Sequence, residues 1–260
     1  MNEIKFIETF LRANQQYVVE KFGNKELLAV ANKNSANDLL TEVDLTLQKR
    51  FVEQVALHCA EIPVLGEESG LDTIPSDPQA PVWVIDPIDG TYNFVRGLNP
   101  AFGISIAYVH EGVAQAAGVF MPLNNLMFLA ESGAGSFCNG DRLKVSTVQH
   151  IEEACVEVDF SIPDERRLAL KRAADVLKKA GQIRCQGAAV MGICQVASGD
   201  VEGYLHVGLQ PYDYAAAQLI AEEAGAIATR LDGKPLQVFD GKQGVLITNG
   251  ALHKTILSLL

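Results

Sequence analysis

The chain has 260 residues, which suits one large domain or two closely joined subdomains, with 48% hydrophobic and 20% charged residues in an ordinary globular balance. Its formal net charge of −11 argues against a general nucleic-acid or membrane-surface binder, because both need clustered lysines and arginines. Its five cysteines are an odd number without C-x-x-C spacing, which argues against a disulfide framework or structural zinc and indicates a cytoplasmic protein. The first ten residues lack a signal-peptide core, and no apolar run is long enough to span a bilayer.

The beginning of the chain predicts two helices separated by a loop. Apolar residues recur at helical spacing from about residue 4 to 21, and the polar, Asn-rich stretch 24–37 predicts a loop. Thr41 opens a second helix, in which apolar residues recur every four positions on one face. Residues 66–81 hold Gly, Asp, Ser and three prolines, which indicates a further loop.

A buried strand and an antiparallel meander follow. The strand Val82–Ile85 is expected to end abruptly at Asp86. Apolar segments at 102–109, 113–120 and 126–131 are separated by turn residues, and Asn139-Gly140 is a further turn signal.

The second half alternates strands and helices, which favours an α/β arrangement. Strands are predicted at 154–160, 201–207, 226–230 and 244–248, and helices at 164–180, 188–198, 213–224 and the chain end. Since no flexible linker divides the halves, we expect one compact unit with subdomains of approximately 1–150 and 151–260.

The segment richest in candidate ligand-binding residues lies directly after the strand, in Asp86-Pro87-Ile88-Asp89-Gly90-Thr91. Two carboxylates three residues apart in a turn can converge on one point. Pro87 stiffens that turn, and Gly90 lets the backbone approach a ligand closely. A strand that ends in this way favours a metal or phosphate site over a simple turn.

Further acids are candidates for the same site: Glu67, Asp44 and Asp213. If Glu67, Asp86, Asp89 and Asp213 share a pocket, each pair of like charges at 4 Å costs roughly 4 kcal/mol, so the cluster needs cations or protons. Carboxylate oxygens without His or Cys suit Mg²⁺, Mn²⁺ or Ca²⁺. Structural roles stay open: Thr41 with Asp44 matches a capping box, Asp213 matches an N-cap, and Glu67-Glu68 matches a solvated loop.

Together these segments resemble the inositol monophosphatase family. The resemblance is carried by Gly66-Glu67-Glu68-Ser69, by Trp83 through Thr91 with Asn93-Phe94, by Lys33 and Asp38 through Asp44, and by Tyr212 through Ala216. It covers nearly the whole chain in the expected order. The family implies a layered α-β-α-β-α sandwich, hydrolysis of small phosphomonoesters with two or three Mg²⁺ ions, lithium sensitivity and a homodimer.

The resemblance also implies roles for single residues. Glu67, Asp86 and the Ile88 carbonyl would hold one metal, and Asp86, Asp89 and Asp213 a second. Gly90 and Thr91 would donate amides to the phosphate, whereas Glu67 and the Thr91 hydroxyl would orient the attacking water. Asp44 would support Thr91 or an outer metal site, and Ala189 would line the sugar pocket.

The alcohol-recognition end departs from the family pattern. His206 stands where inositol-hydrolysing members carry a Glu that contacts sugar hydroxyls, so we expect His206 to contact the substrate, with a strand-end position facing water as the alternative. Inositol 1-phosphate or a similar polyol or sugar phosphate is the leading predicted substrate. Histidinol phosphate, a 3′-phosphonucleotide, fructose bisphosphate, or a non-catalytic regulatory role on the same fold remain alternatives.

Overall fold

Two large β-sheets, a small antiparallel sheet of two short strands, and seven α-helices make up the fold of the described residues, which in the computed structural model are 2–24, 31–32, 39–68, 76–77, 79–160 and 163–260. The helices are α1 Glu3–Lys21, α2 Glu42–His58, α3 Thr91–Arg96, α4 Pro163–Lys179, α5 Ala189–Ser198, α6 Pro211–Glu223 and α7 His253–Leu257. The strands are β1 Ala31–Asn32, β2 Leu39–Leu40, β3 Val64–Gly66, β4 Val82–Asp89, β5 Gly103–His110, β6 Val113–Met121, β7 Leu126–Glu131, β8 Gly135–Cys138, β9 Asp141–Arg142, β10 Cys155–Val158, β11 Gln182–Arg184, β12 Gly203–Leu209, β13 Ile227–Arg230 and β14 Gln243–Thr248.

The first large sheet has seven strands in the order β3-β4-β5-β6-β7-β8-β9. Only β3 and β4 pair in parallel, so the predicted antiparallel meander is confirmed for β5, β6 and β7. The expectation that the strand stops before Asp86 is wrong, because β4 continues to Asp89. It does so through a one-residue bulge: Asp86 pairs with Ser105, but Asp89 pairs with Gly103. Pro87 lies inside this bulge. A bulged residue needs no amide hydrogen for the pairing of the two strands, so the proline is compatible with this position.

The second large sheet has five strands in the order β11-β10-β12-β14-β13. Strands β11, β10 and β12 run parallel to one another, whereas β14 is antiparallel to both β12 and β13. The carboxyl ends of β10, β11 and β12 therefore lie at one edge of the sheet, which is where ligands bind in parallel sheets. The short strand β11 is not predicted from the sequence, because its three residues are exposed or half-buried and show no apolar run.

The helices and sheets stack in layers because each buries its apolar face against a neighbouring layer. Helices α1 and α2 pack on one face of the seven-stranded sheet, with Leu11, Phe51 and Trp83 among the buried residues. Helices α5 and α6 lie between the sheets, where Ile193 and Ile220 join one core cluster with residues of both sheets. Helices α4 and α7 cover the outer face of the five-stranded sheet. The predicted α-β-α-β-α sandwich of mixed α/β class is confirmed.

Most predicted elements agree with the structure to within about two residues at each end. Thr41 caps α2 as expected. Asn139 and Gly140 both have positive φ angles, 50° and 92°, which is the pattern of the tight hairpin turn that Asn-Gly predicts. Most of the predicted 24–37 loop, including Lys33, and Ser69 after Glu68 lie outside the described residues.

All five cysteines are free thiols. No helix among the described ranges is both long and apolar enough to cross a membrane. The division near residue 150 stays a prediction, as does the homodimer.

Candidate active site

The β4 bulge presents two carboxylates at the end of a buried strand. Asp86 is 1% exposed, and its Oδ1 accepts a hydrogen bond from the amide of Ile88 at 3.0 Å. Asp89 is half-buried, and its Oδ2 accepts from the amide of Val190 at 2.9 Å, at the start of α5. Because each carboxylate has one oxygen fixed by a backbone amide, both are oriented before any ligand binds.

Asp213 brings a third carboxylate to this point from helix α6. The helix is capped by Gln210 and begins at Pro211, so Asp213 is the third helical residue and not the N-cap that the sequence left open. Its Oδ2 accepts from the amide of Gln210 at 2.7 Å in a capping box. This hydrogen bond uses only one of the two carboxylate oxygens of Asp213.

Asp86, Asp89 and Asp213 form the carboxylate cluster, in which one oxygen from each residue lies within 4.8 Å of the others. Burial raises the pKa of Asp89 to about 7, although hydrogen bonds from Val190 and Ala189 oppose this, and the charges of Asp159 and Glu67 raise it further. Burial and then Glu67 also raise the pKa values of Asp86 and Asp213 well above the ordinary range. The cluster is electrostatically unfavourable when every member is ionised.

A divalent cation fits this donor set. The ligand atoms are hard carboxylate oxygens, and the cluster includes no His or Cys. Oxygens of this kind are the ligands of Mg²⁺, Mn²⁺ and Ca²⁺. A bound cation would replace the mutual repulsion of the acids with attraction, which is the reason to expect one here.

Glu67 follows β3 and lies beside this cluster. The segment is held to α2, because the amide of Glu68 donates to Gln48 Oε1 at 3.0 Å and Gln48 donates to the carbonyl of Glu68 at 3.2 Å. Glu67 is half-buried and Glu68 is 2% exposed, so the solvated-loop alternative is wrong for this pair. After burial, the charge of Glu67 is the neighbouring charge that raises the pKa values of Asp86 and Asp213 most.

Asp44 forms the capping box with Thr41, as the sequence allowed. Both the amide and the hydroxyl of Thr41 donate to Asp44 Oδ2. Asp44 Oδ1 is buried without a partner in the described part of the chain. Burial raises the pKa of Asp44 to about 7, and Glu67 raises it further. The structure thus places Asp44 near Glu67 but joins it to Thr41 and not to Thr91.

Gly90 and Thr91 form the turn that leads from Asp89 into α3. Gly90 has φ +85°, and an added Cβ would lie 2.8 Å from the carbonyl oxygen of Ala101 and 3.0 Å from the Cβ of Ala188. Only glycine therefore fits. The Thr91 hydroxyl donates to the carbonyl of Ile88 at 2.8 Å. Among the described hydrogen bonds, none uses the amides of Gly90 or Thr91, which stay available to a ligand.

A cavity of about 650 Å³ opens above Asp89 and Asp213. Ala189 and His206, both predicted to contact the substrate, line it. His206 is 6% exposed, so the water-facing alternative is wrong. Its Nδ1 lies 3.0 Å from the amide nitrogen of Gly208, which donates to it. Burial lowers the pKa of His206.

Several cavity residues are missing from the sequence prediction, above all Asp159, Cys185 and Arg166. Asp159 falls inside the predicted strand 154–160, but β10 ends at Val158 and places Asp159 at its carboxyl end. Cys185 follows the carboxyl end of β11, and His206 lies within β12, directly after the last residue of β12 that pairs with β10. The signal that could have identified them is the rule that ligands bind at the carboxyl ends of parallel strands.

Comparison with known proteins agrees with this geometry, since the model of the inositol monophosphatase family matches residues 4–260. The chain belongs to the inositol monophosphatase family. The prediction of a phosphoric monoester hydrolase is confirmed at the level of this family.

Relatives of this chain are named for different roles, some as phosphatases and some as Nus factors. The chloroplastic phosphatase IMPL1 of Arabidopsis thaliana is 34% identical over 254 residues, which cover 91% of this chain and 66% of that protein. The Nus factor SuhB of Vibrio cholerae is 33% identical, covering 84% of this chain and 80% of that protein. A solved IMPase/NADP phosphatase with Mg²⁺ and phosphate superposes with a TM-score of 0.86 at 26% identity, covering 98% of this chain and 94% of that one.

Proposed function

We propose that this protein catalyses the Mg²⁺-dependent hydrolysis of a small phosphomonoester, with inositol 1-phosphate or a similar polyol or sugar phosphate as the substrate. The observation that carries the proposal is the carboxylate cluster, in which acids of two different elements meet within 4.8 Å at the floor of a 650 Å³ cavity. A cavity of this size holds a monophosphate of a small alcohol.

Five residues would hold the metal ions. Glu67, Asp86 and the carbonyl of Ile88 would hold one ion, and Asp86, Asp89 and Asp213 a second. When bound, such ions neutralise the phosphate and the acids and lower the pKa of a water molecule. The solved relative with Mg²⁺ and phosphate supports the choice of metal.

The turn after Asp89 would bind the phosphate and place the water. The amides of Gly90 and Thr91 would donate to phosphate oxygens. Because the Thr91 hydroxyl donates its hydrogen bond to the Ile88 carbonyl, its oxygen is left to accept a hydrogen bond from the attacking water. Glu67 would accept the hydrogen bond of the other water hydrogen and take that one proton as the base, and Asp44 would support this end of the site from α2.

The alcohol would leave toward the opposite wall of the cavity. Ala189 offers a small apolar contact there, and His206 a polar one. The carboxylate cluster would not contact this part of the substrate. Substrate choice would therefore be determined by residues that play no part in holding the metal.

A regulatory role on the same fold is the second candidate, because a relative with 33% identity is named as a Nus factor and not as a phosphatase. The two candidates differ in what they require of the carboxylate cluster. A phosphatase needs it for every turnover, whereas a regulatory role needs only the fold.

Phosphate release from a panel of sugar, polyol, nucleotide and amino-alcohol phosphates, with Mg²⁺ and with EDTA, tests the proposal. We expect turnover that EDTA abolishes and added Mg²⁺ restores. An absence of turnover on every ester, by protein that Mg²⁺ stabilises in a thermal-unfolding assay, would favour the regulatory candidate.

A further inference from the structure

The wall of the cavity also carries a buried carboxylate outside the carboxylate cluster, Asp159. It is 5% exposed and lines the cavity. Its Oδ1 accepts from the amide of Gly187 at 2.9 Å and from the thiol of Cys185 at 3.4 Å, and its Oδ2 accepts from the hydroxyl of Tyr204 at 3.3 Å. Both oxygens of the side chain are therefore oriented by hydrogen bonds from neutral groups.

Within the described part of the chain, Asp159 has no cationic partner. Each of its three donors is neutral, and no described lysine, arginine or histidine forms an ion pair with it. A second acid, Glu157, lies two residues earlier on the same strand and is fully buried. At the rim, Lys242 pairs with Glu165, so this cation is already neutralised. Exposed Arg166 also lines the cavity but forms no ion pair with Asp159.

His206 supplies the complementary group on the adjacent strand. Asp159 and His206 follow the last paired residues Val158 and Leu205 of two parallel strands, which places them side by side. The Gly208 amide can only donate, so His206 Nδ1 must accept. The neutral ring then carries its proton on Nε2, for which the described residues offer no partner. This donor belongs to a side chain that is 6% exposed and lines the cavity.

We infer that Asp159 and His206 form a recognition pair for the alcohol part of the substrate, and that the preferred alcohol carries a protonated amine. The inference rests on the proposed phosphatase function and narrows its substrate class to amino-sugar and amino-alcohol phosphates. The amine binds the Asp159 carboxylate, and a hydroxyl or other acceptor of the same alcohol takes the His206 Nε2 proton. A buried carboxylate with neutral donors gains more from a cation than from a hydroxyl.

Pairs of substrates that differ only in one amine measure the effect of that amine on turnover. Glucosamine 6-phosphate differs from glucose 6-phosphate, and 2-aminoethyl phosphate from 2-hydroxyethyl phosphate, by one amine in place of one hydroxyl. At slightly acidic pH, where the amines are protonated, we expect kcat/KM to favour each amine by about tenfold or more. Equal values within each pair for the wild-type protein would overturn the inference.

Asp159→Asn removes the negative charge but keeps an oxygen and a nitrogen atom that can form hydrogen bonds with the same neighbours. We expect the amine-to-hydroxyl ratio of kcat/KM to fall about tenfold, whereas Asp141→Asn, which removes an exposed charge outside the cavity, leaves the ratio unchanged. An unchanged ratio in folded Asp159→Asn, checked by its melting temperature, would contradict the inference. So would a loss of Mg²⁺-induced thermal stabilisation without a change in the ratio, since Asp159 would then act on the metal.

Calorimetric binding separates this inference from the proposed function. If no ester is hydrolysed, the phosphatase proposal fails. The recognition pair still stands if the wild-type protein with Mg²⁺ binds glucosamine 6-phosphate more tightly than glucose 6-phosphate and Asp159→Asn removes the difference. Equal binding of the two esters by the wild-type protein would refute it.

Discussion

Two sets of acids in the site are held in different arrangements. At the proposed metal end, Asp86, Asp89 and Asp213 each have one oxygen fixed by a backbone amide, and one oxygen from each lies within 4.8 Å of the others. At the proposed alcohol end, both oxygens of Asp159 accept from neutral donors in the loop after β11 and in β12. The first arrangement concentrates charge for an ion, whereas the second orients one charge toward a ligand.

This difference separates general chemistry from selectivity. In the proposed function, every phosphomonoester would present the same phosphate to the metal end, so that end would depend on features shared by all substrates. The alcohol end would meet the part in which substrates differ. Substitutions at the first end are therefore expected to affect all substrates alike, and substitutions at the second end to change their ranking.

Asp89→Asn gives the largest expected effect. Losing one shared carboxylate should lower phosphate release at least about a hundredfold for every ester. It should also raise the melting temperature in EDTA, because one source of repulsion is removed, and reduce the further rise on adding Mg²⁺. Asp200→Asn, at an exposed acid, is the control. If Asp89→Asn instead changed only the substrate ranking, the distinction between the two ends would be lost.

Gly90→Ala tests the turn between the two ends. The φ angle of +85° and the close carbonyl of Ala101 should cost about 1–3 kcal/mol in the free energy of unfolding and lower activity about tenfold or more. Gly133 has φ +76° and no atom within 4 Å of a built Cβ, so Gly133→Ala has the backbone strain without the contact. Denaturant unfolding and kinetics of both variants measure the difference. Equal losses in the two variants would show that close approach at Gly90 is unimportant.

His206→Glu sharpens the comparison at the alcohol end. An acceptor replaces a donor in the cavity, so the ranking of a substrate panel should change by about tenfold, while the Mg²⁺ concentration for half-maximal activity moves less than about twofold. The same ranking before and after would remove His206 from substrate recognition.

Glu157→Gln gives the smallest expected effect, on stability alone. Burial, and then the charge of Asp159, raise the pKa of Glu157 to about 7, and its Oε1 has no partner in the described part of the chain. Because this pKa is above the unfolded value, burial of the ionised form destabilises the fold increasingly as pH rises from about 4.5 to about 7. We expect Glu157→Gln to raise the free energy of unfolding by about 1–3 kcal/mol at pH 8 and to have little effect at pH 4.

Denaturant titrations at both pH values measure this difference, with Glu153→Gln as an exposed control. A stability difference that is independent of pH would mean that Glu157 is already neutral, or that the variant changes packing.

The metal end could be predicted from the sequence because its residues are contiguous or lie in recognisable segments. Asp86 and Asp89 share one bulged strand end, and Asp213 lies in the first turn of a helix. At the alcohol end, Ala189 and His206 were predicted through the family resemblance, but Asp159 and Cys185 were not, because they join His206 only when three strands pair in parallel. No spacing along the chain indicates that β11 pairs beside β10.

Most helices and strands were predictable because apolar periodicity reports which face of each element is buried, whereas the order of the layers was expected from the family resemblance alone. The bulge was not predictable, since Pro87 is compatible with either a strand end or a bulge. That detail matters, because the bulge lies between Asp86 and Asp89, which both meet Asp213 in the carboxylate cluster.

Asn93 joins the two halves of the site through a single amide group. Its Nδ2 donates to the carbonyl of Ala101, beside the Gly90 turn, and to the carbonyl of Gln186, in the loop that supports Asp159, both at 2.8 Å. These two hydrogen bonds couple the backbone beside Gly90 to the backbone that supports Asp159. In the proposed reaction, a shift of one backbone segment as a product leaves would therefore be transmitted to the other.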